Sequence, residues 1–114
     1  MAKNKRIYSS YTLEAIALLG KLIRQKRIEK KFTAKELAER ANISRDLLYR
    51  VEKGEARCEI GVYFELANLV NISLFNVADQ DKTLLTTLSD AVNQKLSLLP
   101  KSVHQSVKVV DDDF

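Results

Sequence analysis

Apolar side chains recur at helical spacing along most of the chain, and the residues between them supply starts and stops. Leu13, Ile16, Leu19 and Ile23 form one such stripe and predict a helix over 13–30. Ser10 or Thr12 is its expected cap, and Lys26, Arg27, Lys30 and Lys31 give its end the charge that a helix C-terminus favours. Thr33 with Glu36 has the capping-box form and opens a short helix over 34–41, with Leu37 and Ala38 inward. Asn42, which tolerates a left-handed φ, follows. Ser44 caps a third helix, which stops at Gly54. Ile60, Tyr63, Phe64, Leu66, Ala67 and Val70 are the apolar positions of a fourth over 59–70. Ser73 is the expected cap of a short fifth over 74–78. A last helix over 82–99 carries the stripe Leu85, Leu88, Val92, Leu96, and Pro100 ends it.

Composition agrees with an all-α fold: 3 Gly and 1 Pro among 114 residues are too few for the turns of a sandwich or barrel. It also removes whole classes of chemistry. Cys58 is the one cysteine and His104 the one histidine, so no zinc site of the Cys/His type can form. Three scattered glycines make no phosphate loop. Neither a cofactor fingerprint nor a nucleophile–base pair nor a paired-carboxylate cleft stands out, and the expectation is a protein that is not an enzyme and needs no cofactor or metal. No stretch reaches the roughly 20 apolar residues of a membrane span, and the N-terminal residues lack an apolar signal core. A cytoplasmic location with no membrane contact is expected.

The net charge of +4 conceals an asymmetry. Residues 1–57 carry 15 Lys/Arg against 7 Asp/Glu, whereas residues 58–114 carry 4 against 8. A basic half points to a polyanion, and an acidic half to a different partner. The expected organisation is a basic arm over 1–11, a globular unit over 12–79, a C-terminal helix within 80–100 and a mobile acidic tail over 101–114.

Two short helices joined by a three-residue turn have the form of a helix-turn-helix. The major groove admits one α-helix and shows each base pair as a distinct set of donors and acceptors. The entering helix must therefore turn polar side chains outward from its first two turns and hold apolar ones inward. Along Ser44-Arg45-Asp46-Leu47-Leu48-Tyr49-Arg50-Val51, Leu48 and Val51 fall on the inner face with Leu47 beside them. Arg45, Asp46, Tyr49 and Arg50 face away.

With these residues, the segment 19–74 resembles the lambda-repressor/Cro-like (XRE-type) helix-turn-helix domain. The matching residues are Ile23-Arg24 with Arg27, Phe32-Thr33, Glu36-Leu37-Ala38 and Ala41-Asn42-Ile43-Ser44. The match continues through Leu48, Val51-Glu52-Lys53-Gly54, Leu66-Ala67 and Asn71-Ile72-Ser73-Leu74. The resemblance implies a five-helix domain, with the C-terminal helix and tail appended to it. It implies binding to a palindromic DNA operator as a homodimer on two half-sites. It places Arg45, Asp46 and Arg50 at base-reading positions. An Arg can pair with guanine O6 and N7, and an Asp can accept from cytosine N4. Thr33, Ser44, Tyr49, Lys53 and Arg57 fall at positions that meet phosphates, and Arg27 with Glu52 matches a pair that ties helix 1 to the end of helix 3. Four positions depart from the family pattern: Ala34 replaces a common Gln, Lys31 and Asn42 replace common Gly, and Cys58 replaces a common Pro.

The second half offers Leu85, Leu88, Val92 and Leu96 as a stripe for a second chain or a protein partner. The acidic end KVVDDDF resembles the C-termini of HipB-like antitoxins, small XRE-type repressors encoded beside a HipA-type serine/threonine kinase. That resemblance implies a toxin–antitoxin operon, a kinase partner and autoregulation by a bacterial protein found on the nucleoid when bound to DNA. A free-standing phage-type or restriction-modification controller with no toxin partner is the alternative. A module of the same fold that binds only proteins would not need a recognition helix carrying Arg45 and Arg50.

Overall fold

A computed structural model describes residues 6–75 and 82–103. Contacts divide the chain into two units, Met1–Gln80 and Asp81–Phe114. The first contains α1 (Ser10–Glu29), α2 (Ala34–Ala41), α3 (Arg45–Glu52) and α4 (Ile60–Leu69); the second contains α5 (Lys82–Ser97).

The cap of α1 lies before both predicted candidates, Ser10 and Thr12. Ser9 is the N-cap, its hydroxyl accepting the Thr12 N–H at 3.2 Å, while Ser10 is already helical. The helix therefore takes in two residues of the expected arm. At α2 the capping box is complete: the Thr33 hydroxyl accepts the Glu36 N–H at 3.0 Å, and the Thr33 N–H donates to the Glu36 carboxylate at 2.8 Å. Ser44 caps α3 by accepting the Leu47 N–H at 3.0 Å. Glu59 precedes α4 without a side-chain cap.

Among the described residues, helices α1 to α4 end in one motif. Lys31, Asn42, Gly54 and Asn71 take φ of +65°, +60°, +79° and +66°. After each, the next residue's N–H reaches back to a carbonyl five residues earlier: Phe32 to Arg27, Ile43 to Ala38, Glu55 to Arg50 and Ile72 to Ala67. This is the Schellman arrangement, which satisfies carbonyls that a helix end would otherwise leave open. Lys31 thus occupies a left-handed position that favours glycine, and the turn keeps its form.

The interior follows from the stripes. Ile23 of α1, Leu37 of α2, Leu48 and Val51 of α3, and Leu66 of α4 are fully buried, together with Val70 just beyond α4. Burying each such side chain contributes about 1.5–3 kcal/mol. Phe32, Ile43 and Ile72, which follow three of the left-handed residues, pack against this core. Leu13 and Ile60 were expected inside, but both are exposed.

Leu74 and Phe75 are in a turn, and the rest of the predicted helix over 74–78 lies outside the described residues. The last helix begins at Lys82 as predicted and ends at Ser97, two residues early. Within the second unit, every residue from 85 to 103 is exposed. Residues 104–114, including the acidic end, lie outside the described residues.

Candidate nucleic-acid interface

Helix α3 is held from one side. Its buried residues are Leu48 and, one turn on, Val51 and Glu52, which share one face. The opposite face carries Arg45, Asp46, Tyr49 and Arg50, with Lys53 at the C-cap, and all five are exposed. The turn of Asn42, Ile43 and Ser44 sets the angle to α2: Asn42 takes the left-handed conformation and Ile43 packs against the core.

The clamp at the back of α3 is an ion pair. Arg27 Nε donates to Glu52 Oε2 at 2.7 Å and Arg27 Nη2 donates to Glu52 Oε1 at 3.1 Å. Arg27 Nη1 also donates to the Phe32 carbonyl at 3.1 Å, fixing the end of α1. Both side chains are buried. The hydrogen bond to Glu52 holds the Arg27 guanidinium above its usual pKa, outweighing the opposing effect of burial. Arg24 Nε approaches the same carboxylate at 4.0 Å from a more exposed position. The structure thus brings Arg27 and Glu52 together across 25 residues of sequence.

Each phosphate candidate occupies a definable place. Thr33 and Ser44 use their oxygens as cap acceptors, but a hydroxyl that accepts can still donate. At the start of α2 the capping box takes the N–H groups of Thr33 and Glu36, so those of Ala34 and Lys35 are the ones directed outward. Ala34 itself packs against the core and presents no polar group. Arg57 is exposed in the segment between α3 and α4. Among the described residues Arg45, Lys53 and Arg57 make no ion pair, which leaves three free cations around α3.

Arg50 differs from them. Its Nε lies 3.3 Å from Asp46 Oδ2, one turn earlier on α3, and its Nη1 lies 3.9 Å from Glu55 Oε1. Glu55 was not singled out from the sequence. Its backbone is anchored twice: its N–H donates to the Arg50 carbonyl at 3.1 Å, and its carbonyl accepts the Tyr63 hydroxyl at 2.7 Å. Burial pushes the Tyr63 pKa up to about 12, with Cys58 and Glu55 adding to the effect, so this donor keeps its proton at neutral pH. The available signal was the position of Glu55 directly after the helix-ending Gly54. A second unpredicted contact sets the Arg40 guanidinium 4.6 Å above the Phe32 ring.

A family model described as helix-turn-helix matches residues 23–75. No curated protein and no solved structure matches the chain significantly. No helix among the described residues is long and apolar enough to cross a membrane.

Proposed function

We propose, from the premise that residues 23–75 are an XRE-type helix-turn-helix domain and so a sequence-specific DNA-binding regulator, that the protein is a dimeric transcriptional repressor of the HipB-like antitoxin kind. In this reading it acts in the bacterial cytoplasm and associates with the nucleoid when bound to its operator. Arg45, Asp46 and Arg50 read base edges, while Thr33, Ser44, Tyr49, Lys53 and Arg57 hold phosphates. One observation carries the DNA-binding role: a short helix fixed by Leu48, Val51 and Glu52 presents five polar residues on its open face.

Binding measurements separate the two kinds of contact. The probes are a duplex selected from a random library with the wild-type protein, and an unselected random duplex. Arg45→Ala is expected to cost about 1–3 kcal/mol on the selected duplex and to relax one of its positions. Lys53→Ala should weaken both duplexes alike and lower the salt slope by about one. Equal losses on both duplexes for Arg45→Ala would make it a phosphate contact instead.

The partner proposals draw on the second unit. Along α5, Leu85, Leu88, Val92 and Leu96 are 47%, 40%, 50% and 58% exposed, an apolar stripe that its own unit leaves open. A second chain covering it would bring two recognition helices onto one palindromic operator. The acidic second half of the sequence supports a protein partner in addition. Purification from native cells under gentle salt, with sedimentation and mass spectrometry, tests both parts. A homodimer with near-stoichiometric HipA-type kinase is the expected result. A dimer recovered alone, still binding its own promoter, would make the protein a free-standing repressor; a monomer would overturn the dimer.

A further inference from the structure

We propose that Glu55 is a specificity-determining residue: with Asp46 it holds the Arg50 guanidinium away from DNA phosphates and reserves it for a base edge. The proposal rests on the reading of α3 as the DNA-facing helix.

The helix ends of this domain supply the geometry. In the Schellman arrangement the residue after the left-handed position lies against the side chain five residues before it, and an apolar contact usually fills that place. Ile43 and Ile72 stand opposite Ala38 and Ala67 in this way, and with Phe32 they pack against the core. After α3 the position is held by Glu55, and the residue five before it is Arg50. The backbone turn that ends α3 therefore brings this carboxylate to Arg50, and the observed separation is 3.9 Å. Glu55 is only half-exposed, and the Tyr63 hydroxyl fixes its backbone from α4. The Arg50 and Glu55 side chains are both partly exposed, so the pair adds little to stability and acts through where it places the charge.

The consequence lies in the charge balance. Asp46 faces Arg50 Nε and Glu55 faces Nη1. Two carboxylates around one guanidinium make a cluster of net charge −1, whereas Arg45, Lys53 and Arg57 make no ion pair among the described residues. A phosphate approaching Arg50 meets that excess negative charge. A guanine edge is uncharged and offers O6 and N7 to guanidinium N–H groups. Arg50 thus loses the partner that every sequence offers and keeps the one that only some offer.

The test uses the full chain with the selected and the random duplex. The variants are Glu55→Gln, Glu59→Gln, Arg50→Ala and the double variant Arg50→Ala/Glu55→Gln. Glu59 is an exposed carboxylate nearby that makes no ion pair with Arg50, so its variant controls for bulk charge. Removing the Glu55 charge should let Arg50 neutralise one more phosphate. The expected result is up to about tenfold tighter binding to the random duplex at 0.1 M salt, with a salt slope steeper by about 0.9. The ratio of selected to random affinity should fall, the Glu59 control should keep its slope, and the Glu55 effect should vanish in the Arg50→Ala background. A Glu55→Gln change no larger than the control, or one that persists without Arg50, overturns the proposal while leaving the reading of α3 intact. If Arg50→Ala alters neither duplex, that reading of Arg50 fails, and the role of Glu55 fails with it. The backbone bonds of residue 55 survive the Gln substitution, so an unchanged melting temperature accompanies the expected result.

Discussion

Glu52→Ala is expected to destabilise the helix-turn-helix unit by about 3–5 kcal/mol, the usual cost of stranding one partner of a buried ion pair. A unit of about 70 residues has about 4–10 kcal/mol in total, so the variant should be largely unfolded or melt far below the wild type. The reason is specific to Arg27. Its guanidinium is buried and donates two N–H groups to Glu52, and an arginine keeps its proton in proteins, so the charge is stranded when the carboxylate is removed. Arg24 cannot substitute, because it is a cation as well. Thermal melting by circular dichroism checks the result, and a melting temperature within a few degrees of wild type would show that the pair contributes nothing. The double variant Arg27→Met/Glu52→Leu separates burial of a charge from loss of packing. It removes both charges and should recover most of the stability. It should fall short of wild type by about 1 kcal/mol, since the Phe32 carbonyl loses the Arg27 donor.

The same pair marks how far the residues could be read in advance. A capping box is a local pattern, so Thr33 and Glu36 were legible, as were Ser44 and Gly54, because each acts on backbone within a few residues of itself. The cap of α1 was misplaced because Ser9, Ser10 and Thr12 all offer hydroxyls and only the entry angle of the chain chooses among them. The inward set Leu48 and Val51 followed from periodicity. The exposure of Leu13 and Ile60 did not, since a stripe says which face is apolar and not how far along the helix its neighbours reach. The proximity of Arg27 and Glu52 came from family resemblance alone; no local pattern links residues 25 apart. Glu55 was missed for a related reason. Its position relative to Arg50 depends on the backbone turn at Gly54, and a carboxylate beside a glycine ordinarily reads as a solvated loop charge.

That turn is also where one methyl group should do the most damage. Gly54→Ala is expected to destabilise the unit by about 2–5 kcal/mol, from two sources that add. Residue 54 has φ +79°, where a Cβ costs about 1–2 kcal/mol. A Cβ there would also lie 2.5 Å from the Ala17 Cα and 3.1 Å from its N, so it meets the backbone of α1 and not a side chain that can swing away. Overpacking of that kind costs about 1–3 kcal/mol. Gly20 faces the same junction from the other side, where an added Cβ would collide with the Val51 carbonyl oxygen and lie 3.0 Å from the Glu52 oxygen. Two glycines thus let α1 close on the end of α3, near the Arg27–Glu52 clamp, and this sets the pose of the outward residues. Lys31 occupies the equivalent left-handed position after α1 and is exposed, so Lys31→Gly should do the opposite and stabilise by about 1 kcal/mol. Gly61 separates space from composition, since a Cβ added there meets nothing within 4 Å. Gly61→Ala, inside α4, should be stabilising by about 0.5–1 kcal/mol. Chemical denaturation of the three variants should place Gly54→Ala well below wild type and the other two above it. A Gly54→Ala variant as stable as wild type would mean that α1 and α3 do not meet at this spacing in solution.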